Sequence, residues 1–331
     1  MSKRSTAQQV ADVAGVSKWT VIRAFTPGAS ITNKSKAKVM EAAASLNYSP
    51  NLLARSLATN KTQQVAVLVD DFSNPQKLPF LETLTDQFQA EGIAVLLINI
   101  NRHFDHVDAL LHADQRQVDA VILFGTAFRD ETLPELRDGR ALPPVFVLAR
   151  DSQLADVPAI VCDAEHAIRV IVDHLHERGY RKPGFMTGAQ VLSTALKRRQ
   201  FYEEFWSRKG IATKAVISAD RYSYQAGSDA FAEYFEATPA SDRVDVLMCE
   251  NDILAIGAMD EARGRRGLRV PEDLAFVGFD NFDLGGTEAF SLTTYEQPRE
   301  HMVRTLIDMV MGRREIATMS LPGRLVVRRS T

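Results

Sequence analysis

From Val65 onward the chain is punctuated by short apolar runs: "VAVLV" (65–69), "IAVLLI" (93–98), "AVILF" (120–124), "VFVLA" (145–149), "AIVC" (159–162), "GFMT" (184–187), "AVIS" (215–218), "DVLMC" (245–249) and "LAFVGF" (274–279). Amphipathic stretches separate most of them, at 80–91, 103–117, 164–178, 224–237 and 251–266. A strand that is apolar along its whole length is buried on both faces, and strand–helix alternation achieves this with parallel sheets covered by helices. Some nine strands are too many for one unit of ~100–150 residues, so the pattern predicts two doubly wound subdomains. Ligands of such sheets bind beyond the carboxyl ends of the strands, and two subdomains set face to face bring those ends to one cleft.

Polar residues just after the strands are therefore the candidate binding groups. Asp71 follows the first run, Asn251 and Asp252 follow "LMCE", Asp280 and Asn281 follow "FVGF", and Gln297 stands in "TTYEQP". Arg198 opens the helix after "GFMTG", and Tyr222 lies in a loop. Carboxylates, amides, an arginine and one aromatic suit a hydroxyl-rich or charged small molecule. Each residue alone also reads as a helix cap or turn, as "FSNP" and "END" do. Their shared place at strand ends marks them as a set.

Before residue 63 the pattern is absent and the charge reverses. The chain of 331 residues carries 39 Lys and Arg against 42 Asp and Glu, a net charge of −3. Residues 1–62 hold nine of the basic residues and only two of the acidic ones, Asp12 and Glu41, so this head carries +7 and the rest −10. A basic head on an acidic body implies that the head meets a polyanion and the body does not.

The head reads as three helices. Thr6, followed three residues later by Gln9, is a capping box, and Ala7, Val10, Ala11 and Ala14 then recur at helical spacing. Gly15 ends this helix, and Ser17 caps a second in which Val21, Ala24 and Phe25 face inward. Two short helices joined by a glycine turn form a helix-turn-helix. A third helix starts near Thr32 and runs through Val39, Ala42, Ala43 and Leu46 to Asn47. Lys18, Trp19, Ile22 and Arg23 are left outward on the second helix, whose N-terminal residues reach base edges in a major groove. Lys18 can donate to guanine, and Trp19 and Ile22 can touch thymine methyls. The alternative is that Trp19 and Ile22 complete the small core, but Val21 and Phe25 already fill the inward face. Ser17, Thr26, Thr32, Lys34 and Ser35 are small or basic and stand at helix ends, as phosphate contacts do.

No enzyme signature stands out. There is no GxSxG elbow, Walker loop, GxGxxG or HExxH. His103 and His106 are at i, i+3 without a further ligand, so no metal or other cofactor is implied. Cys162 and Cys249 each lie in an apolar run and read as buried, reduced thiols. The start "MSKRSTAQQVADVAG" has no apolar signal core and no apolar run reaches the ~18 residues of a membrane span, which predicts a cytoplasmic protein without a membrane partner.

"AQQVADVAGVSKWTVIRAF", "NYSPNLLARSL", "GFDN" and "LTTYEQP" together resemble the lactose-repressor (LacI/GalR) family of bacterial transcription regulators. The resemblance runs the whole chain, to the ending "LPGRLVVRRST". It implies a helix-turn-helix domain at 1–48, a hinge helix and linker at 49–62, and a periplasmic-binding-protein-like core at 63–331. Subdomain one would span about 63–161 plus 292–322, and subdomain two about 162–291 plus 323–331. It implies a homodimer or tetramer on near-palindromic double-stranded operator DNA, and an effector, a sugar or related metabolite, held between the subdomains. No heptad-like tail follows Arg329, which favours the dimer. Lys18, Trp19 and Ile22 resemble the base-reading positions, and Thr6, Ser17, Arg23, Thr26, Thr32, Ser35, Tyr48 and Asn51 the phosphate and hinge contacts. Asp71, Arg198, Tyr222, Asn251, Asp280 and Gln297 resemble effector-binding positions.

Three departures stand out. Ile22 replaces a small polar residue, which predicts an unusual base preference. Gln76, in "NPQKLPF", replaces an aromatic that often stacks on ligand. Phe201 replaces a glycine in the helix begun by Arg198, a change that would displace the arginine.

The hinge "SPNLLARSLATN" (49–60) is a helix of two turns, too short to be stable alone in water. Such a segment can stay disordered until two copies meet on DNA. By the resemblance, Leu57 beside Ala54 wedges into the minor groove and bends the duplex. The expected function is thus a DNA-binding transcription regulator, a repressor, switched by a small metabolite. The alternative is a cytoplasmic sugar-binding protein or sugar-modifying enzyme with an incidental basic head. The first would need a signal peptide and the second a catalytic set, and neither is found.

Overall fold

The computed structural model describes residues 5–26, 28–50, 56, 61–72, 74–101, 105–126, 128, 132–138, 141–188 and 196–331. The chain separates into two compact units, 1–62 and 63–331.

The first unit contains helices α1 (Ala7–Ala14), α2 (Lys18–Ala24) and α3 (Asn33–Ser45). Their boundaries follow local chemistry. Thr6 and Gln9 form the reciprocal capping box, Ser17 accepts from Thr20 N–H, and Thr32 accepts from Ser35 N–H. Gly15 ends α1 at φ 63°, in the left-handed region where a side chain is strained. Val10, Ala11, Ala14, Val21, Ala24, Val39, Ala42 and Ala43 are buried together, with Phe25, Leu46 and Tyr48 packed at the margin.

The second unit is built on two six-stranded sheets. Strands β1 (Gln64–Val69), β2 (Ala94–Asn99), β3 (Ala120–Phe124), β4 (Val145–Leu148), β5 (Ala159–Cys162), β6 (Pro183–Thr187), β7 (Ala215–Ser218), β8 (Val246–Cys249), β9 (Ala275–Phe279), β10 (Thr293–Glu296), β11 (Met319–Leu321) and β12 (Arg324–Val326) divide between them. The first sheet has the order β11-β5-β4-β3-β1-β2 and the second β12-β10-β9-β8-β6-β7. Every pairing is parallel except β10 with β12. Central strands such as β3, β4 and β8 are buried at every residue, the burial that their uninterrupted apolar runs require. Among the described residues no helix is long and apolar enough to cross a membrane.

The chain crosses between the subdomains three times: after β5, after β10 and between β11 and β12. One expectation is corrected here. The sequence places residues 292–322 in the first subdomain, yet β10, at Thr293–Glu296, pairs with β9 in the second sheet. Its own contacts explain this: Tyr295 is fully buried, and Thr294 Oγ1 donates to the buried Asp252 carboxylate 2.6 Å away. The return to the first subdomain comes after Glu296, with the helix Arg299–Val310.

Two glycines set the tightest helix contact of the second subdomain. A Cβ on Gly257 would lie 2.0 Å from the Tyr224 carbonyl oxygen, and one on Gly227 2.4 Å from that of Leu254. The helices Tyr224–Ala237 and Asp252–Gly264 can meet backbone to backbone only because neither position carries a side chain.

Candidate functional site

The head presents one polar and aromatic face. With Val21 and Ala24 buried, α2 turns Lys18, Trp19, Ile22 and Arg23 outward. Trp19 is 71% exposed and Ile22 43%, which places both outside the small core. An indole and an isoleucine left in water beside two cations form a surface suited to base edges and phosphates. Thr6, Ser17 and Thr32 are all N-caps, at helix ends that favour anions. Thr26 donates to Ile22 O at 2.8 Å, and Thr32 to Ser35 Oγ at 2.9 Å. Tyr48 packs edge-on to Phe25 with ring centres 5.7 Å apart, and burial raises its phenol pKa. Asn51, Ala54 and Leu57 lie outside the described residues.

The second unit holds a cleft of about 630 Å³, part of it open to solvent, beyond the carboxyl ends of the strands. Asp71, Arg198, Tyr222, Asn251, Asp280 and Gln297 all line it. Their positions follow from the topology: Asp71 leaves β1 at φ 42°, Asp280 leaves β9 at φ 109°, and Gln297 follows β10. Asn251 both faces the cleft and caps the next helix by accepting from Leu254 N–H. Asp252 and Asn281 do not line it. Asp252 is fully buried and accepts from Thr294 and Phe282 N–H, while Asn281 accepts from Arg328 at 2.7 Å.

Arg198 is the centre of this arrangement. Its guanidinium lies 3.6 Å from the Phe279 ring centre and donates to Glu250 O at 2.6 Å. Phe201 does not displace it. That ring instead stacks on Phe205 along the helix, with centres 6.2 Å apart. Tyr222 donates to Glu250 Oε2 at 2.8 Å, and Gly188 N–H to the same oxygen at 2.7 Å. Gln297 donates to the Asp280 carboxylate.

Burial raises the pKa of Asp280 to about 7, against the opposing pull of Arg198. It raises that of Asp252 to about 8, with the charge of Asp280 adding to the effect. The Tyr222 phenol is pushed up by burial and by the Glu250 carboxylate. Cys162 and Cys249 are buried free thiols, and burial raises Cys162 to about 12.

Glu250, Arg150 and Lys77 stand at the site beside the residues named from the sequence. Glu250 and Arg150 stand just after β8 and β4, where the strand-end rule would have found them. Arg150 is buried, lines the cleft and donates to Gly125 O at 2.8 Å. Lys77 also lines the cleft, in a buried ion pair with Asp70. It belongs to a helix, so its inward aim has no local signal. Gln76 lines the cleft as well and donates to Phe279 O. Among the described residues no group of three or more His, Cys, Asp or Glu is arranged to hold a metal ion.

Comparison with known proteins agrees with both halves of this description. A family model described as bacterial regulatory proteins, lacI family, matches residues 6–51, and one described as a periplasmic binding protein-like domain matches residues 172–331. The HTH-type transcriptional repressor PurR of Photorhabdus laumondii subsp. laumondii is 29% identical over 334 residues, 98% of this chain and 96% of that protein. A Lac repressor dimer, solved bound to operator and the anti-inducer ONPF, has the same fold: TM-score 0.83 at 24% identity, over 99% of both chains. A LacI transcriptional regulator from a Rhodococcus species gives a TM-score of 0.71 at 26% identity, over 81% of this chain and 98% of its own. With the head matched to one module and the core to the other, this chain belongs to the lactose-repressor (LacI/GalR) family of bacterial regulatory proteins.

Proposed function

We propose that the protein is a sequence-specific transcriptional repressor that binds operator DNA as a homodimer and is switched by a small polar metabolite in the core cleft. The observation that carries this reading is the convergence of Asp71, Arg198, Tyr222, Asn251, Asp280 and Gln297 on one cleft, in a chain whose head exposes Trp19 and Ile22. The relative named a transcriptional repressor, matched along nearly the whole chain, supports repression.

In this mechanism Lys18, Trp19 and Ile22 read bases, while Arg23, Thr26, Ser35 and the capped helix ends hold phosphates. The hinge residues Asn51, Ala54 and Leu57 contact the operator as well. The effector changes the angle between the subdomains and with it the spacing of the two heads in the dimer, so the two ligands couple through one two-state element. The mixed acids, amides and arginine of the cleft suit a ligand that is both hydroxylated and charged. The protein acts in the cytoplasm as a binding protein, not as an enzyme.

The test is selection of double-stranded DNA from a random pool by the full chain, then gel-shift titration at physiological salt. A repressor selects a near-palindrome and loses it on Leu57→Ala, while the effector affinity of the core is unchanged. Binding without sequence preference would exclude the proposal. A thermal-shift panel of sugars, sugar acids, phosphates and nucleobases then identifies the effector class. A ligand at 100 times its Kd adds about 2.7 kcal/mol of stability.

A further inference from the structure

The three crossings between the subdomains are tied together by one phenol. Tyr295, the third residue of β10, stands at the second crossing, and its hydroxyl accepts from Gly323 N–H at 2.9 Å, in the third. The same hydroxyl is 2.9 Å from His166 Nδ1, in the first turn of the helix after the first crossing. The phenol oxygen can accept from Gly323 N–H whichever tautomer His166 adopts, so one hydroxyl holds both partners at once. The backbone draws the same points together. Asp163 N–H donates to Leu321 O at 2.9 Å, and a Cβ on Gly323 would lie 2.0 Å from Glu296 O.

The ring of Tyr295 is fully buried. It stacks on Phe279, centres 5.4 Å apart at 27°. Phe279 also carries the Arg198 guanidinium, 3.6 Å from its ring centre. Asp280 N–H donates to Tyr295 O at 2.7 Å, so the cleft carboxylate is joined to the same residue through its backbone. A contiguous series of close contacts thus runs from the cleft to all three crossings: Arg198, Phe279, Tyr295, then Gly323 and His166.

We propose that Tyr295 is a positioning residue that transmits the state of Arg198 in the cleft to the hinge, and so sets the angle between the subdomains; its regulatory meaning rests on the cleft being the effector site. A group that engages Arg198 shifts the guanidinium on Phe279. The ring pair moves as a unit, and the phenol changes its hold on Gly323 and His166. A side chain that only filled the core would carry no such dependence on Arg198.

The experiment uses the full chain without DNA or ligand. Hydrogen exchange reads the Gly323 amide, and fluorescence energy transfer between dyes on Asp86→Cys and Asp229→Cys reads the subdomain angle, while the buried Cys162 and Cys249 are shielded from label. Tyr295→Phe keeps the ring and should raise Gly323 exchange about tenfold and broaden the distance distribution. His166→Ala frees the phenol from the other side and should act in the same direction, which keeps the test open if the first variant folds poorly. Arg198→Met should raise Gly323 exchange at least threefold in the parent and leave it unchanged in the Tyr295→Phe background. An Arg198→Met protein with parental Gly323 exchange, or equal increments in both backgrounds, overturns the proposal. Since no DNA or effector is present, that failure is separate from a failure of operator selection.

Discussion

Gln76 donates its side-chain amide to the backbone carbonyl of Phe279, 3.2 Å away, from the start of the helix Lys77–Ala90 in one subdomain to the end of β9 in the other. Lys197 and Asp151 form another bridge between the subdomains, at 3.0 Å. The Gln76 bond is half-buried, whereas the ion pair is largely exposed and contributes little. Gln76→Ala should therefore shift the ligand-free protein toward an open cleft, by about 1 kcal/mol or roughly fivefold in population. Small-angle scattering detects this as a larger radius of gyration, and an unchanged radius would show that the bond does not hold the subdomains.

On the head, Trp19→Ala removes a side chain that is 71% exposed. Head stability should stay within about 0.5 kcal/mol while affinity for the selected operator falls at least tenfold. Thr6→Ala differs in costing stability as well as a phosphate contact: losing the capping box costs about 1 kcal/mol of head stability. Urea melts distinguish the two variants, since only Thr6→Ala should lower the midpoint, while gel shifts read the operator contact each one loses.

Gly257→Ala places a methyl group 2.0 Å from a backbone oxygen that cannot step aside. The two helices must separate, and a loss of about 2–3 kcal/mol is expected. Gly264→Ala is the control. It ends the same helix with nothing within 4 Å of the added atom, and should be neutral or stabilising by up to about 1 kcal/mol. Equal melting temperatures for the two variants would contradict the close helix contact.

Stability should depend on pH through two buried carboxyls. Asp252 is raised to about 8 and Asp280 to about 7, each by burial first. In the unfolded chain both return to about 3.9. Between these limits the folded protein binds more protons than the unfolded one, so stability is highest below pH ~4 as far as these groups are concerned and falls as pH rises to ~8. Asp252→Asn cannot ionise and should reduce the difference in urea midpoint between pH 5 and pH 9. A midpoint difference as large as the parent's would mean that Asp252 is not its source.

How much of this was legible in the chain depended on the range of the cause. The head could be read residue by residue because its signals are local: Thr6 with Gln9, Ser17 with Thr20, and Gly15 at φ 63° act within one turn of helix. The alternating architecture was equally legible, because strands buried on both faces have to be apolar throughout. The strand-end rule located Asp71, Asn251, Asp280 and Gln297, and it extends without change to Glu250 and Arg150. The strands β10, β11 and β12 are not legible in the chain, since three or four residues with threonine, serine and arginine among them carry no periodic signal and are strands only by virtue of their neighbours.

The sequence by itself therefore determined the two-part organisation, the caps, the sheet type and the general place of the cleft, all consequences of burial and backbone hydrogen bonding close along the chain. Only the tertiary structure decided that β10 belongs to the second sheet, that Lys77 turns inward to Asp70, that Arg198 keeps its place over Phe279 despite Phe201, and that one phenol joins Gly323 to His166. Those contacts link residues far apart in the chain, and no local preference of either partner specifies them. They exist because the packed sheets bring the partners within reach, where burial favours the polar groups that are paired.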